Sequence, residues 1–577
     1  MVGAPAQVNA PRIRYTSPSR ARGGRARYRT EAISTTSDNN ENARTAVTGR
    51  GLLRSTGVIG AMTVLSRILG LVRDMVFTRL FGAGYAMDAF IIANRIPNML
   101  RRFFAEGAFS QAFVPVLNEV REQGDEKAVR QLTDAVAGTL GVALFVITLI
   151  GVVAAPLLVM AIAPGFLADE ATFDLTVLML RFTFPYLLFI SLTALAAGLL
   201  NTYGRFAVPA FTPVLLNVSL IGFAVFVSPK LEQPTLALAF GVFVAGVVQL
   251  AFQLPFLKAI GQLPRPRWAW HDSGVRKIGR LMLPAIFGSS VVQINLLIDN
   301  ILASLLGEGR PAWLYFSDRL MEFPLGVFGI ALATAILPSL SRNFANEDRD
   351  SFTATLDWSL RLVVLVALPA SLGLALLAGP LVTTIFYGGA FDAFDVVMAR
   401  SSLWAFSGGL LAFIAIKVLS PGYFARQDTK TPVKVGLVAL GVNLVCNLGF
   451  VYALMQLEVE ATHAGLALAT TVAAFVNAGL LYRGLRKNGQ LARLPGWLVF
   501  LLRVAVAGAL MAAFLVWLSP PLNWWLEASV VDRVIRLLLL IGGGATLYFA
   551  ALFVSGLRPA HLKLDAATAR IVNGAGR

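Results

Sequence analysis

Charge is scarce in this chain of 577 residues. Asp, Glu, Lys and Arg together make up 14% of it, against about a quarter in a soluble globular protein, too little polar surface for water. Cysteine occurs once, at Cys446 inside an apolar run, which excludes a disulfide framework within the chain. The histidines His271, His463 and His561 have no second histidine or cysteine at metal-ligand spacing. Neither a metal site nor histidine-based catalysis is therefore expected. Phosphate-loop, HExxH and GxSxG motifs are missing too, so no ATP hydrolysis and no cofactor is expected. Between the apolar runs there is no stretch long enough for an extramembrane catalytic domain, which argues against a glycosyltransferase or polymerase. An enzyme is not the expectation.

Apolar residues are abundant. They make up 56% of the chain, the mean hydropathy is +0.70, and runs of roughly 20 residues, the length a helix needs to cross a bilayer, recur along almost its whole length. A transmembrane barrel would instead alternate apolar and polar residues in segments of about ten. The expected fold class is an all-α polytopic membrane protein of about fourteen spans, at 56–81, 84–113, 132–162, 175–201, 207–228, 234–257, 278–305, 312–340, 355–384, 392–424, 433–455, 461–482, 497–518 and 533–556. Residues 1–53, rich in Arg, Ser, Thr, Gly and Asn, carry no periodic apolar pattern and are expected to be a disordered basic extension. Their Arg-rich, acid-poor start has a faint likeness to a transit peptide; a basic tail, or a start codon assigned too early, fits at least as well.

The formal charge of +17 raises nucleic acid as a partner, but its distribution favours membrane topology. Ten arginines precede residue 55, and the others cluster in alternate loops, as Arg121, Lys127 and Arg130; Arg205; Lys258, Arg265, Arg267, Arg276 and Lys277; Arg342 and Arg349; Arg426, Lys430 and Lys434; and Arg483, Arg486, Lys487 and Arg493. The intervening loops hold little beyond Lys230 and Arg310, together with Asp169, Glu170, Glu458 and Glu460. The positive-inside rule then puts both termini in the cytoplasm.

A weak internal repeat divides the chain. Gly107-x-Phe109 with Pro115-x-Leu117 returns as Gly326-x-Phe328 with Pro338-x-Leu340. Tyr203-x-Arg205 with Pro209 and Asn217 is echoed by Phe424-x-Arg426 with Pro432 and Asn443. Two parallel six-span units follow, a lobe at 54–262 and a second at 263–488. Residues 489–577 remain as two appended spans and a tail. Gly542, Gly543 and Gly544 read as a close-packing surface, Trp524-Trp525 as an interfacial belt, and residues 264–271 as an interfacial linker.

Charges inside spans carry the information about function, because each costs at least about 2.5–3.5 kcal/mol to insert. Span 1 holds Arg67, Arg73 and Asp74; span 2 holds Asp88, Arg95, Arg101, Arg102 and Glu106; span 8 holds Asp318, Arg319 and Glu322; span 10 holds Lys417. Pro97 and Pro324 interrupt spans 2 and 8 at corresponding places in the two repeats, and such interruptions point to a transporter's binding site. Single residues here could be structural: Arg67 and Asp74 share a helix face and could pair, and Arg101 and Arg102 could snorkel. As a set, the arginines outnumber the acids and call for an anion. A guanidinium fork suits phosphate or pyrophosphate. Asp299, beside Asn295 and Asn300, suits an inter-helix hydrogen bond better than a coupling cation.

SRILGLVRD (66–74), FGAGYAMDAF (81–90), RIPNMLRRFFAEGAFSQAFVPVL (95–117), SDRLMEFPLGVFG (317–329) and ARQDTKTPVK (425–434) resemble the MurJ/MviN family, the lipid II flippases of the multidrug/oligosaccharidyl-lipid/polysaccharide exporter superfamily. The resemblance runs from about residue 50 to the end; the N-terminal extension is its departure. It implies two six-helix lobes around a central cavity, with the two last helices forming a groove for the lipid tail. It also implies that Arg67, Arg73, Arg101 and Arg319 contact the pyrophosphate–sugar headgroup, with Glu322 and Lys417 as lesser substrate-binding candidates and Asp88 on the periplasmic side. The implied function is translocation of lipid II, the undecaprenyl-pyrophosphate-linked disaccharide-pentapeptide, by alternating access across a bacterial inner membrane. That places the chain in peptidoglycan biosynthesis and cell-shape maintenance, with membrane lipid and other cell-wall synthesis proteins as partners and no nucleic acid. The alternatives are an exporter of another lipid-linked oligosaccharide and a cation-coupled multidrug exporter, the latter needing carboxylates in excess.

Reporter fusions after residues 125, 270, 347, 430 and 490 are expected to report cytoplasm, and fusions near 168, 388 and 526 periplasm, from the loop-charge asymmetry. A periplasmic signal at 270 would overturn the span assignment of the second repeat.

Overall fold

A computed structural model of the protein describes residues 37–102, 108–492 and 494–558. The first half of the chain forms α1 (Ser37–Phe81), α2 (Tyr85–Arg101), α3 (Ala108–Glu122), α4 (Glu126–Val153), α5 (Ala155–Ile162), α6 (Glu170–Thr183), α7 (Tyr186–Thr202), α8 (Ala207–Gly222) and α9 (Leu236–Ala259). The second half forms α10 (Ser273–Leu305), α11 (Arg310–Pro324), α12 (Ile330–Ala345), α13 (Arg349–Leu376), α14 (Ala378–Phe386), α15 (Ala393–Phe424), α16 (Lys430–Gln456) and α17 (Ala464–Lys487). The end of the chain adds α18 (Trp497–Leu518), the short α19 (Leu522–Glu527) and α20 (Val530–Val554). Among the described residues the only β feature is an isolated bridge between Gly388 and Phe391.

Residues 1–57 make one unit and residues 58–577 another. Residues 1–36 of the expected basic extension lie outside the described residues. From Ser37 to Gly57 the first unit is helical as the start of α1, where no fixed structure was expected; Glu41, Ala43, Arg44 and Ala46 are residues that extend a helix readily.

Eleven helical runs are long and apolar enough to cross a membrane among the described residues. Each coincides with an expected span. Three more expected spans, 56–81, 84–113 and 278–305, are helical over α1, α2–α3 and α10 without being among the eleven. The first two carry the intramembrane arginines, and α10 has an apolar stretch free of charge from Leu281 to Ile298. Large apolar side chains are exposed along most of these helices, Trp517 and Val554 at 86% among them, and an apolar surface that extensive suits lipid.

Several helices start at an aspartate cap. The side chain of Asp125 accepts from the Lys127 and Ala128 amides at 2.8 and 3.1 Å, and that of Asp272 from Gly274 and Val275 at 2.8 and 3.2 Å, satisfying amides with no partner in the helix. The Thr172 hydroxyl and neighbouring amides hold the Asp169 carboxyl below the usual carboxylate range in the loop before α6. The Ser351 amide does the same for Asp348 before α13.

Within the first half, α2 packs on α6, and α9 on α6, α7 and α8; within the second, α15 is the hub for α11, α12, α13 and α17. The halves touch where α10 meets α3 and α11 meets α2. The 264–271 linker crosses α4, where the Arg267 amide donates to the Asp134 carbonyl at 2.9 Å, and a side chain at Gly138 would collide with the Arg267 backbone. Exposed Trp268 and Trp270 stack there 6.3 Å apart, as an interfacial linker should.

The appended helices α18 and α20 pack on each other, with α18 and α20 also against α13 and α20 against α14. Side chains at Gly543 and Gly544 would meet Phe514, Leu515 and Met511 of α18, so those two glycines serve close packing, whereas Gly542 faces open space. The Trp524-Trp525 belt needs correcting: Trp525 is fully buried in the α13–α18–α20 core, because its indole N–H donates to the Pro520 carbonyl at 3.2 Å and needs no interfacial water. At the start of α18, Arg361 of α13 donates to Asp357 at 2.8 Å and to the Pro495 carbonyl at 3.1 Å. The Trp497 indole donates to the other Asp357 oxygen at 2.6 Å, and its ring lies 4.8 Å from the guanidinium. This clamp fixes the appendix to α13.

Arg361→Ala is expected to lower the unfolding midpoint in detergent, because breaking one partner of a buried pair costs about 3–5 kcal/mol. Asp357→Leu with Arg361→Met is expected to recover most of the loss. A double variant as unstable as the single one would show that the charge pairing is not what holds the appendix.

Candidate functional site

The intramembrane charges converge because their helices do. α1, α2 and α11 bring Arg73, Arg95, Arg101, Arg102, Asp318, Arg319 and Glu322 to one cavity of ≈ 530 Å³, with Lys417 of α15 and the amides Asn94, Asn98, Asn295 and Asn477 on its walls. A second cavity of ≈ 1280 Å³ shares Arg73, Arg101, Arg319 and Glu322 and adds Arg67 and Asp74. It then runs along an apolar track: Pro369, Ala370 and Gly373 of α13, Met511 and Leu515 of α18, and Leu537, Ile541 and Phe549 of α20. The charged chamber thus opens into a groove beside the appended helices.

Asp74 organises the chamber. One carboxylate oxygen accepts from Arg73 Nη2 at 2.7 Å and Nε at 3.0 Å; the other accepts from Arg319 Nε at 3.1 Å. Arg73 also donates to Asn217 at 3.1 Å and to the Tyr315 hydroxyl at 3.1 Å. Arg319 Nη1 reaches Glu322 at 3.0 Å. The Arg67–Asp74 pair open to the sequence does not form: Asp74 faces Arg73 and Arg319, and Arg67 has no hydrogen bond or ion pair among the described residues. The Arg67 guanidinium lies instead against Gly326, where any side chain would displace it. That glycine belongs to a π-helical turn, Leu325–Gly329, directly after Pro324.

The two proline interruptions differ. Pro324 ends α11, and the π turn leads into α12. α2 continues through Pro97 to Arg101; residues 103–107, Glu106 and Gly107 included, lie outside the described residues. Arg101 Nε donates to Asn98 at 3.3 Å.

Six of the seven expected site residues line these cavities: Arg67, Arg73, Arg101, Arg319, Glu322 and Lys417. Asp88 does not. It is fully buried at the start of α2, its oxygens accepting from the amides of Gly309 at 2.6 Å and Ala312 at 2.9 Å, so it caps α11 from a neighbouring helix. Nearby, the Tyr85 amide donates to Glu308 at 2.9 Å and the Ala390 amide to the Arg79 carbonyl at 2.9 Å. Asp88 therefore latches α2 to α11 at one end of the bundle.

The sequence reading passed over Arg95 and Arg102, already visible as intramembrane charges, and Asn217 and Tyr315, which position Arg73. Arg95 Nε is buried with no partner, and Asp318 is its foremost opposite charge. Asn217 had a signal, since it is repeat-related to Asn443. Tyr315 had none. Asp299 takes the hydrogen-bonded role: it accepts from Asn447 at 2.9 Å, Asn295 at 3.3 Å and Thr470 at 3.4 Å, joining α10, α16 and α17. Across both cavities, the charged lining residues are Arg67, Arg73, Arg95, Arg101, Arg102, Arg319 and Lys417 against Asp74, Asp318 and Glu322. The cation excess expected from the sequence is present in space.

Comparison with known proteins agrees with this geometry. The family model described as "Lipid II flippase MurJ" matches residues 77–535. The "Probable lipid II flippase MurJ" of Vibrio cholerae is 49% identical over 521 residues, 89% of this chain and 98% of that one. The "Lipid II flippase MurJ" of Burkholderia cenocepacia is 43% identical over 517 residues, 89% and 99% respectively. A solved "Lipid II flippase MurJ, inward closed conformation" superposes with a TM-score of 0.70 at 23% identity, over 86% of this chain and 99% of that one. An inward-facing multidrug resistance MATE family transporter of the MOP superfamily gives 0.60 at 14% identity, over 74% and 95%. These two likenesses are of fold.

Asp88→Ala is expected to destabilise the protein, since charge-assisted hydrogen bonds are worth about 1.5–3 kcal/mol each, while leaving affinity for a pyrophosphate lipid in the cavity within about twofold. A large affinity loss at unchanged thermal stability would put Asp88 in the binding site instead.

Proposed function

We infer the function from family membership: the chain belongs to the lipid II flippase MurJ family. It translocates lipid II between leaflets, and the observation that carries its mechanism is the junction of the arginine chamber with the apolar groove. Lipid II joins a pyrophosphate-linked, sugar-bearing head to a prenyl tail. In this proposal Arg67, Arg73, Arg101 and Arg319 take the pyrophosphate, and the groove along α13, α18 and α20 keeps the tail in an apolar environment. Arg67 offers donors that no protein group among the described residues occupies. Glu322 tunes Arg319, and Lys417 with the wall amides faces the rest of the head. Asp88 acts through the α2–α11 latch rather than on substrate. No covalent bond changes, so the chain works as a transporter and not as an enzyme.

Alternating access fits helices that meet at the Asp88 latch while a chamber stays open between them. The proposal counts α1, α2–α3 and α10 with the eleven apolar runs to reach fourteen passages, in two six-span lobes, 54–262 and 263–488, with the last two appended. It places the chain in the bacterial inner membrane with both termini cytoplasmic, supplying outward-facing cell-wall synthesis proteins with their substrate. The cation excess disfavours a multidrug exporter for cationic drugs, which would need carboxylates. An exporter of another lipid-linked oligosaccharide could use the same arginines, but family membership favours lipid II.

Arg67→Ala, Arg73→Ala, Arg101→Ala and Arg319→Ala are each expected to abolish complementation of a flippase-depleted strain at normal membrane levels, with headgroup binding weakened about tenfold to a hundredfold, the equivalent of about 1.5–3 kcal/mol. Lysine at these sites should rescue only partly, because it lacks the planar fork. Asp74, shared by Arg73 and Arg319, supplies the control. Restoration of function by Arg73→Ala with Asp74→Ala, or by Arg319→Ala with Asp74→Ala, would reduce those arginines to structural ion pairs.

A further inference from the structure

Away from the central chamber, the start of α20 presents basic groups that no carboxylate among the described residues answers. Arg533 is 6% exposed and its Nε is buried without a partner. Its guanidinium stands 4.8 Å from the centre of the Tyr387 ring, and one Nη donates to the Leu526 carbonyl at 2.8 Å. One turn on, Arg536 donates to the Leu518 carbonyl at 2.7 Å, and its Nε is likewise buried and unpartnered. The exposed Arg79 at the end of α1 is a like-charged neighbour of Arg533. None of the three forms an ion pair among the described residues, and the nearby Asp532 carboxylate is engaged by the Ser529 hydroxyl at 2.7 Å.

Capping the ends of α18 and α19 accounts for only one donor each of the buried Arg533 and the half-buried Arg536. A guanidinium has five N–H donors in a planar fork. Two such forks near the first turn of a helix, where the macrodipole already disfavours cations, are costly unless an anion completes them. Their position supplies the second half of the case. Leu537 follows Arg533 by one turn and Ile385 precedes Tyr387 by two residues, and both Leu537 and Ile385 line the apolar groove. The arginines thus stand beside one end of the groove, with the central chamber farther along it. A molecule with an acyl or prenyl chain in the groove would bring its head to Arg533.

We propose that Arg533, Arg536 and Arg79 form a second anion site, which binds the phosphate of a lipid headgroup at that end of the groove. The chemistry is a bidentate guanidinium–phosphate contact, with the chain of the lipid along Leu537 and Ile541. It does not depend on the chain moving lipid II. The phosphate belongs either to a phospholipid resident in the membrane or to a prenyl pyrophosphate.

Native mass spectrometry of the full chain in detergent tests this, titrating phosphatidylglycerol, undecaprenyl pyrophosphate and phosphate-free diacylglycerol. Both proteins compared carry Arg67→Ala, to weaken capture in the central chamber. Adding Arg533→Gln and Arg536→Gln is expected to raise the Kd of at least one phosphate lipid about tenfold and to leave diacylglycerol unchanged. A loss confined to undecaprenyl pyrophosphate would assign the site to a prenyl pyrophosphate, and a loss that includes phosphatidylglycerol would assign it to a resident phospholipid. Equal retention of both phosphate lipids, or an equal loss of diacylglycerol, overturns the proposal. Should the double variant lose its folded, monodisperse form, the comparison is made with Arg79→Gln, whose exposed side chain can be changed without repacking; an unchanged Kd there overturns the site.

Discussion

A guanidinium held in the interior of a bilayer costs several kcal/mol unless it is hydrated or paired, and the chamber lining brings seven basic side chains against three carboxylates. That imbalance shapes the centre of the molecule. Asp74 is shared between Arg73 and Arg319, so it draws α1 and α11 together. Asn217 and Tyr315 take two more of the Arg73 donors. What cannot be paired must face water or an anion, and this keeps an open, polar chamber inside a helical bundle that would otherwise close.

Much of the fold was legible because a bilayer leaves few options. Spans can be read from hydropathy when every backbone group must be satisfied within its own helix, and the eleven apolar runs fall where the sequence puts them. The same reasoning reached α1, α2 and α10, although arginines interrupt the first two. It misplaced Trp525. A Trp-Trp pair between two spans suggests an interface, but the choice between lipid surface and core depends on how α18 and α20 converge. No local pattern contains that.

The site was legible as a set and not as pairs. Counting cations against acids on spans 1, 2 and 8 needs no geometry, and the excess survives in three dimensions. Pairing does need it. Arg67 and Asp74 share a helix face in sequence, yet Asp74 turns to its neighbour Arg73 and to Arg319, more than two hundred residues on. Arg67 is left lying on Gly326, whose missing side chain leaves room for the guanidinium. Asp88 shows the converse. As an intramembrane acid beside a glycine-containing turn it belongs with the functional charges, but its partners are two backbone amides 221 and 224 residues away. Nothing in the local sequence announces such a cap.

These contacts make α11 a strut between two regions. Its first turn carries the amides held by Asp88, and its last turns carry Arg319 and Glu322 in the chamber. At 1.5 Å per residue a helix of fifteen residues is about 22 Å long. A packed helix of that length moves as a unit rather than bending freely. Any movement of α11 away from α2 at the latch therefore displaces Arg319 relative to Asp74, and the π turn after Pro324 is where such movement can be absorbed without disturbing α12. A carboxylate with no place in the chamber can in this way govern how the chamber opens.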